Sequence, residues 1–171
     1  MIYSPSDDTY FMEKVLKQLK EKKDSRILEI GCGSGYLLEV LRDLSFTDIT
    51  GVDINSEAVE HCFNLGFTCF QSNLFSEISN KFDIIIFNPP YLPEDKLEDK
   101  ESQLATTSGE KGSEIINKFL VQAQHHLNPK GKIYLLTSSL TKDITWLNYE
   151  KKLIEKKKLF FEELRVWELR V

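Results

Sequence analysis

No apolar run in the 171-residue chain approaches the ~20 residues that a membrane span requires, which sets a transmembrane protein aside. Cysteine is scarce. Cys32, Cys62 and Cys69 are odd in number and form no C-x-x-C pair, so neither a disulfide framework nor a zinc site is indicated; the expectation is reduced, packed thiols and no metal. Cationic excess is missing too: a net charge of −5 lacks the broad basic footprint of a duplex-binding protein, although a local lysine-rich rim stays compatible with it. The start, Met1-Ile2-Tyr3-Ser4-Pro5-Ser6-Asp7-Asp8, is acidic and broken by proline, unlike a secretory signal peptide, and the expected compartment is the cytoplasm. There are no internal repeats, low-complexity tracts or linkers. With 41% apolar and 29% charged residues, the chain reads as one globular domain, 1–171.

What the chain does contain is a regular alternation of strand and helix patterns. Phe11, Met12, Val15, Leu16 and Leu19 recur at helical spacing, and Lys20 to Lys23 place cations where that helix should end, making 1–24 an opening helical segment. Arg26–Ile30 reads as a strand, followed by Gly31-Cys32-Gly33-Ser34-Gly35 and a helix carrying Leu37, Leu38, Val40, Leu41 and Leu44. A second strand, Asp48–Ile54, precedes a helix over about 56–64, and a third, Phe67–Phe70, follows the Gly66 helix stop. Phe82–Phe87 is the most hydrophobic run and reads as a buried central strand. The acidic, aperiodic 92–111 stretch is expected to be a substrate-side loop covering the site. Ile115, Ile116, Phe119, Leu120 and Ala123 mark a helix ending at Asn128-Pro129. The fifth strand is Lys132–Thr137, a short helix is expected near 142–150, and strands follow at 151–157 and 164–171. This order predicts an α/β fold with a mainly parallel sheet, right-handed crossovers, helices on both faces and an antiparallel last strand.

The polar tetrapeptide Asn88-Pro89-Pro90-Tyr91 follows the central strand directly. In an open α/β sheet the ligand cleft lies at the carboxyl ends of the strands, and two prolines there stop the ladder and stiffen the backbone around the Asn side chain. A fixed carboxamide and a fixed carbonyl can accept both hydrogens of a planar –NH2 group, selecting an amide or an exocyclic amine.

The glycine loop spells G-x-G-x-G and not the dinucleotide pattern G-x-G-x-x-G, and it holds no Lys or Arg for a pyrophosphate. Asp53, at the end of the next strand, can accept both hydroxyls of a ribose. Glu29 can lie over a cationic ligand group or order the loop by bonding its amides. A ribose-bearing ligand with a sulfonium and an amino-acid tail fits this set: S-adenosylmethionine. The bland alternatives are that Asp53 caps the helix at Ser56 and that the glycines only permit tight packing.

Through Glu29-Ile30-Gly31-Cys32-Gly33-Ser34-Gly35, Asp53 and Asn88-Pro89-Pro90-Tyr91, in that order, the chain resembles class I S-adenosylmethionine-dependent methyltransferases. Tyr3-Ser4-Pro5-Ser6-Asp7-Asp8-Thr9, Gly109-Glu110-Lys111-Gly112 and Leu159-Phe160-Phe161-Glu162-Glu163-Leu164 look more narrowly like HemK-type glutamine methyltransferases of the short eukaryotic and archaeal branch, which act on class I peptide release factors. The resemblance implies a single Rossmann-like domain with a seven-stranded sheet ordered 3-2-1-4-5-7-6. It implies N5-methylation of the Gln in a Gly-Gly-Gln motif, with S-adenosylhomocysteine as product. It assigns Thr9, Glu29, Gly31, Gly33, Asp53, Ile54, Asn73, Leu74 and Asn88 to the cofactor pocket and Asn88, Pro89, Pro90 and Tyr91 to catalysis. Two positions depart from the family: Asn73 stands where an Asp is common, and Asp7-Asp8-Thr9 stands for Glu-Asp-Thr. By this reading Asn88 Oδ1 and the Pro89 carbonyl hold the amide hydrogens while Tyr91 packs on the amide plane. No general base is needed, and His125 and His126 are expected to serve a helix dipole.

In the implied order Phe67–Phe70 is an edge strand without Lys or Pro to blunt it. The family pairs through this edge with a small zinc-binding activator protein, so a heterodimer by strand addition is expected, with Phe63 and Phe70 buried in it. The alternative is coverage by the chain's own N-terminal helix. The competing functions are an adenine-N6 or guanine-N2 nucleic-acid methyltransferase, since the tetrapeptide suits any exocyclic –NH2, and a non-catalytic scaffold.

Overall fold

The computed structural model describes residues 2–91 and 110–171, so the expected 92–111 loop falls outside the described residues apart from 110 and 111. Seven strands form one sheet: β1 Arg26–Ile30, β2 Asp48–Asp53, β3 Thr68–Gln71, β4 Phe82–Phe87, β5 Leu127–Ser138, β6 Glu150–Lys158 and β7 Glu163–Arg170. Their order is β3-β2-β1-β4-β5-β7-β6, as expected. The first five pair in parallel, and β7 runs antiparallel to both β5 and β6.

The central strand explains the two-layered core. A strand covered on both faces has no polar face to alternate with, so it reads as a continuous apolar run. Ile84 and Ile86 pack on one side against Phe11, Met12, Val15 and Leu16 of α1 (Asp7–Leu16) and Leu37, Val40 and Leu41 of α2 (Tyr36–Asp43). Ile85 and Phe87 pack on the other against Ile116, Phe119 and Leu120 of α4 (Glu114–Ala123). A third helix, α3 (Ser56–Asn64), links β2 to β3. Among the described residues no helix is long and apolar enough to cross a membrane.

Four local expectations change. Helix α1 stops at Leu16, with Lys17 as its C-cap, so Leu19 and the Lys20–Lys23 run lie beyond the helix. Strand β3 is displaced one residue, to Thr68–Gln71. Strand β5 begins at Leu127 and carries Asn128-Pro129 within it; its register against β4 jumps between Phe82 and Ile84, and Lys130 takes φ 67° at the irregularity. No helix forms over 142–150. Asp143 and Leu147 have φ 58° and 51°, and Ile144, Trp146 and Tyr149 turn into the core. The Tyr149 hydroxyl donates to the Leu120 carbonyl at 2.7 Å and the Trp146 ring lies 5.2 Å from that of Trp167, so tertiary packing overrides the local helical tendency.

The two sheet edges differ. β3 carries Phe70, 48% exposed, beside Phe63 of α3, 67% exposed. α1 packs with α2 against β1, β4, β5 and β7, and no residue of β3 belongs to that cluster. The other edge, β6, is lysine-rich: Lys151, Lys152, Lys156, Lys157 and Lys158. Lys157 reaches Asp7 of α1 at 2.6 Å, and Lys14 reaches Glu155 at 3.1 Å.

Candidate active site

Parallel register brings the sequence candidates to one level. Ile30 of β1 lies beside Val52 of β2 and Phe87 of β4, so the residues that follow, Gly31, Asp53 and Asn88, leave neighbouring strands together. The glycine loop turns with φ 71° at Gly31, 49° at Gly33 and 77° at Gly35. At Gly35 a side chain would be strained by that angle and would also meet Cys62 Sγ at 3.0 Å.

Asp53 holds this loop. Its Oδ2 accepts from the Gly33 N–H at 2.9 Å and its Oδ1 from the Asn55 N–H at 2.9 Å. Helix α3 is capped by Asn55, whose side chain accepts from Glu57 N at 3.0 Å, so Asp53 is not merely the cap of that helix. Glu29 does not order the loop: the Gly31 and Cys32 amides donate to the Val52 carbonyl at 2.7 and 3.0 Å. Its carboxyl is 3% exposed, and among the described residues Oε2 has no hydrogen-bond partner. Burial pushes this carboxyl well above the usual carboxylate range, and the Asp53 charge adds to the shift. A cationic group is the partner this orphaned oxygen fits, so the donor set suits a sulfonium-bearing, ribose-bearing cofactor.

The N-terminal segment lies against the glycine loop and Asn88. A Cβ at Gly33 would lie 3.8 Å from the Tyr3 carbonyl. Asp8 is 6% exposed and collects the segment: Oδ1 accepts from the Thr9 N–H at 2.8 Å and from the Ser6 hydroxyl at 2.5 Å, and the Tyr3 hydroxyl donates to it at 3.1 Å. Burial and the Asp8 charge push the Tyr3 phenol up to about 12, against the Ser6 hydrogen bond. Thr9 is buried, and its Oγ1 accepts from the Ser6 N–H at 3.3 Å, one half of a capping box.

Asp8 also fixes Asn88. The Asn88 Nδ2 donates to Asp8 Oδ2 at 3.2 Å, which leaves Oδ1 buried and without a partner among the described residues. Pro89 is buried, and Pro90 and Tyr91 are half-buried. Thr141 Oγ1 donates to the Tyr91 carbonyl at 2.9 Å, tying the tetrapeptide to the end of β5. Burial, then the charges of Asp8 and Glu162, raise the Tyr91 phenol far above its ordinary value, so it stays protonated. Sequence reading missed Asp8 as a site residue; its one signal is an acid on the apolar face of α1 while its neighbour Asp7 points outward.

The remaining candidates lie at the β2 and β3 ends. The Ser72 N–H donates to the Asp53 carbonyl at 2.9 Å, which draws exposed Asn73 towards Asp53. Leu74 is buried with φ 54°, and Ile54 is 67% exposed. His125 and His126 lie in a 3-10 turn, Gln124–His126, after α4; His126 also stacks on Phe75 at 4.6 Å, and its Nδ1 meets the Asn80 carbonyl at 3.0 Å.

Residues 12–158 match the methyltransferase small domain family, and the chain belongs to it. It is an enzyme of the methyltransferase class. A protein of Methanocaldococcus jannaschii named as a protein N5-glutamine methyltransferase is 34% identical over 96% of this chain and 89% of its own. The release factor glutamine methyltransferase of Streptococcus pneumoniae is 36% identical over 64% of this chain and 44% of its own. The chain spans 29–54% of the length of the bacterial proteins of that name which it matches. Among solved structures, the ribosomal protein L11 methylase of Lactobacillus delbrueckii subsp. bulgaricus superposes with a TM-score of 0.68 at 14% identity, over 100% of this chain and 82% of that one. A Haloferax volcanii methyltransferase complex with the activator Trm112 gives 0.54 at 16% identity, over 74% of this chain and 50% of that one. These two likenesses concern the fold.

Proposed function

We propose that the chain transfers a methyl group from S-adenosylmethionine to the side-chain amide nitrogen of the glutamine in the Gly-Gly-Gln motif of a class I peptide release factor. The observation that carries this reading is the Asn88 carboxamide, held through Nδ2 by Asp8 so that Oδ1 remains a buried, unpartnered acceptor at the end of β4. An amide nitrogen is a poor nucleophile because its lone pair is delocalised into the carbonyl. Asn88 Oδ1 and the Pro89 carbonyl accept its two hydrogens, favour a more pyramidal nitrogen and aim its lone pair, while Tyr91 packs on the amide plane. Bound in the cleft, S-adenosylmethionine supplies an electrophilic methyl on a sulfonium. Glu29 faces the cationic group, and Asp53 accepts from the ribose hydroxyls while still holding the Gly33 amide. Asn73 accepts from the adenine amino group, and Thr9, Gly31, Gly33, Ile54 and Leu74 line the pocket. The names of the relatives support the choice of substrate.

The same reading gives the β3 edge a partner: a small zinc-binding activator that adds a strand there and covers Phe63 and Phe70. Its support is the unpaired edge, the exposure of both rings, and the fold likeness to a methyltransferase seen with an activator.

The test is transfer from labelled S-adenosylmethionine, with the chain co-expressed with a candidate zinc-binding partner. Substrates are a release factor, its Gly-Gly-Gln→Gly-Gly-Ala variant, duplex DNA and transfer RNA. Label on the wild-type factor alone is expected. Label on nucleic acid alone moves the activity to base methylation.

A further inference from the structure

The three cysteines look unconnected in the sequence, yet the fold assembles them from three elements: Cys32 from the glycine loop, Cys62 from α3 and Cys69 from β3. Their sulfur atoms lie within 4.8 Å of one another, and all three are free thiols. Cys32 and Cys62 are buried and Cys69 is half-buried. Leu38 and Phe67 pack around them, with Ile49 and Leu65 at the margin, and the buried Glu29 carboxyl is close enough to interact with all three thiols. Two glycines make room for the sulfurs. A Cβ at Gly35 would come 3.0 Å from Cys62 Sγ, and one at Gly51 would come 3.0 Å from Cys69 Sγ. Among the described residues no His, Asp or Glu joins the three as a further ligand.

We propose that Cys32, Cys62 and Cys69 form a three-sulfur site for a soft monovalent cation, Cu(I). Thiolates select soft ions, Cu(I) among them. Structural zinc sites close with four ligands, and here the donor set stops at three with leucine, isoleucine and phenylalanine around it. A closed-shell Cu(I) ion is satisfied by trigonal sulfur. Metal–sulfur bonds of about 2.3 Å place trigonal sulfurs about 4 Å apart, inside the observed limit. Each S–Cu bond replaces an S–H bond whose proton passes to solvent, and neither copper nor sulfur changes oxidation state. Loading gives up the hydrogen bond that the Cys62 thiol donates to the Gly33 carbonyl at 3.6 Å, and the three sulfurs then join the glycine loop, α3 and β3 through one atom.

The full chain is titrated anaerobically with Cu(I) against a chromophoric Cu(I) chelator, and the loaded protein is examined by X-ray absorption. One ion per chain with three Cu–S bonds is expected, and Cys62→Ser and Cys69→Ser should each weaken binding at least about tenfold, the lower end of what a lost supporting contact costs a metal site. Cys69 is half-buried, so C69S tests the site with the fold kept, as checked by circular dichroism. Two-sulfur coordination, affinity unchanged in C69S, or displacement of Cu(I) by equimolar Zn(II) would each overturn the proposal.

Discussion

Asn88 and Asp8, 80 residues apart in sequence, meet at 3.2 Å, and the bond decides which end of the Asn88 carboxamide is free. A carboxylate can only accept, so it takes the amide's –NH2 and leaves Oδ1 as the buried end without a partner among the described residues. The first turn of α1 thereby orients the tetrapeptide that ends β4.

Asp8→Ala releases that constraint. Transfer should fall about 100-fold, the scale of a small misplacement of a reacting group, while cofactor affinity changes by a few-fold. Asn88→Ala should abolish transfer. Single-turnover assays with calorimetric cofactor binding separate the two effects, and wild-type turnover by N88A would sink the assigned mechanism.

Glu29 sets a pH dependence. Its folded-state carboxyl titrates well above the unfolded value, chiefly through burial, so the stability it contributes is complete below the unfolded value and is lost as pH rises through the raised one. Glu29→Gln should leave the melting temperature unchanged near about pH 4 and raise it near about pH 8, by about 2–4 °C for each kcal/mol relieved. Binding of cationic S-adenosylmethionine should release a proton from the wild type, and binding of neutral S-adenosylhomocysteine should not. Calorimetry in two buffers of different ionisation enthalpy reads this; identical heats would show that Glu29 does not face the cation.

Phe70→Glu addresses the β3 edge. The ring is half exposed, so the isolated chain should melt within about 0.5 kcal/mol of wild type, as surface substitutions do. Co-purification of the activator should be lost. A retained complex would place the contact elsewhere.

Tyr149→Phe removes the hydroxyl that donates to the Leu120 carbonyl. Urea denaturation should show a loss of about 1–2 kcal/mol. An unchanged midpoint would mean that the 142–150 segment is held by its rings alone.

Much of the fold was legible because β1, β2 and β4 announce themselves locally: apolar runs that end in glycine, acid or proline. Their parallel register then brings Gly31, Asp53 and Asn88 together without further information. What stayed hidden depends on distance. The fate of 142–150 is decided by Trp167 and Leu120, which no local window contains. Asp8 reads as a helix-start acid until β4 is placed beside it. The cysteines carry no pair spacing because each comes from a different element.

The lysines of β6 give the sheet a direction of growth. Five lysines, two of them paired with Asp7 and Glu163, blunt the β6 rim, while the phenylalanine-bearing rim at β3 has no such lysine. A molecule with a single receptive rim has a valence of one: it can close a pair and cannot propagate a ribbon. On the proposed docking, a strand added at β3 would occupy the receptive rim and leave the lysine-rich β6 edge as the other end of the sheet.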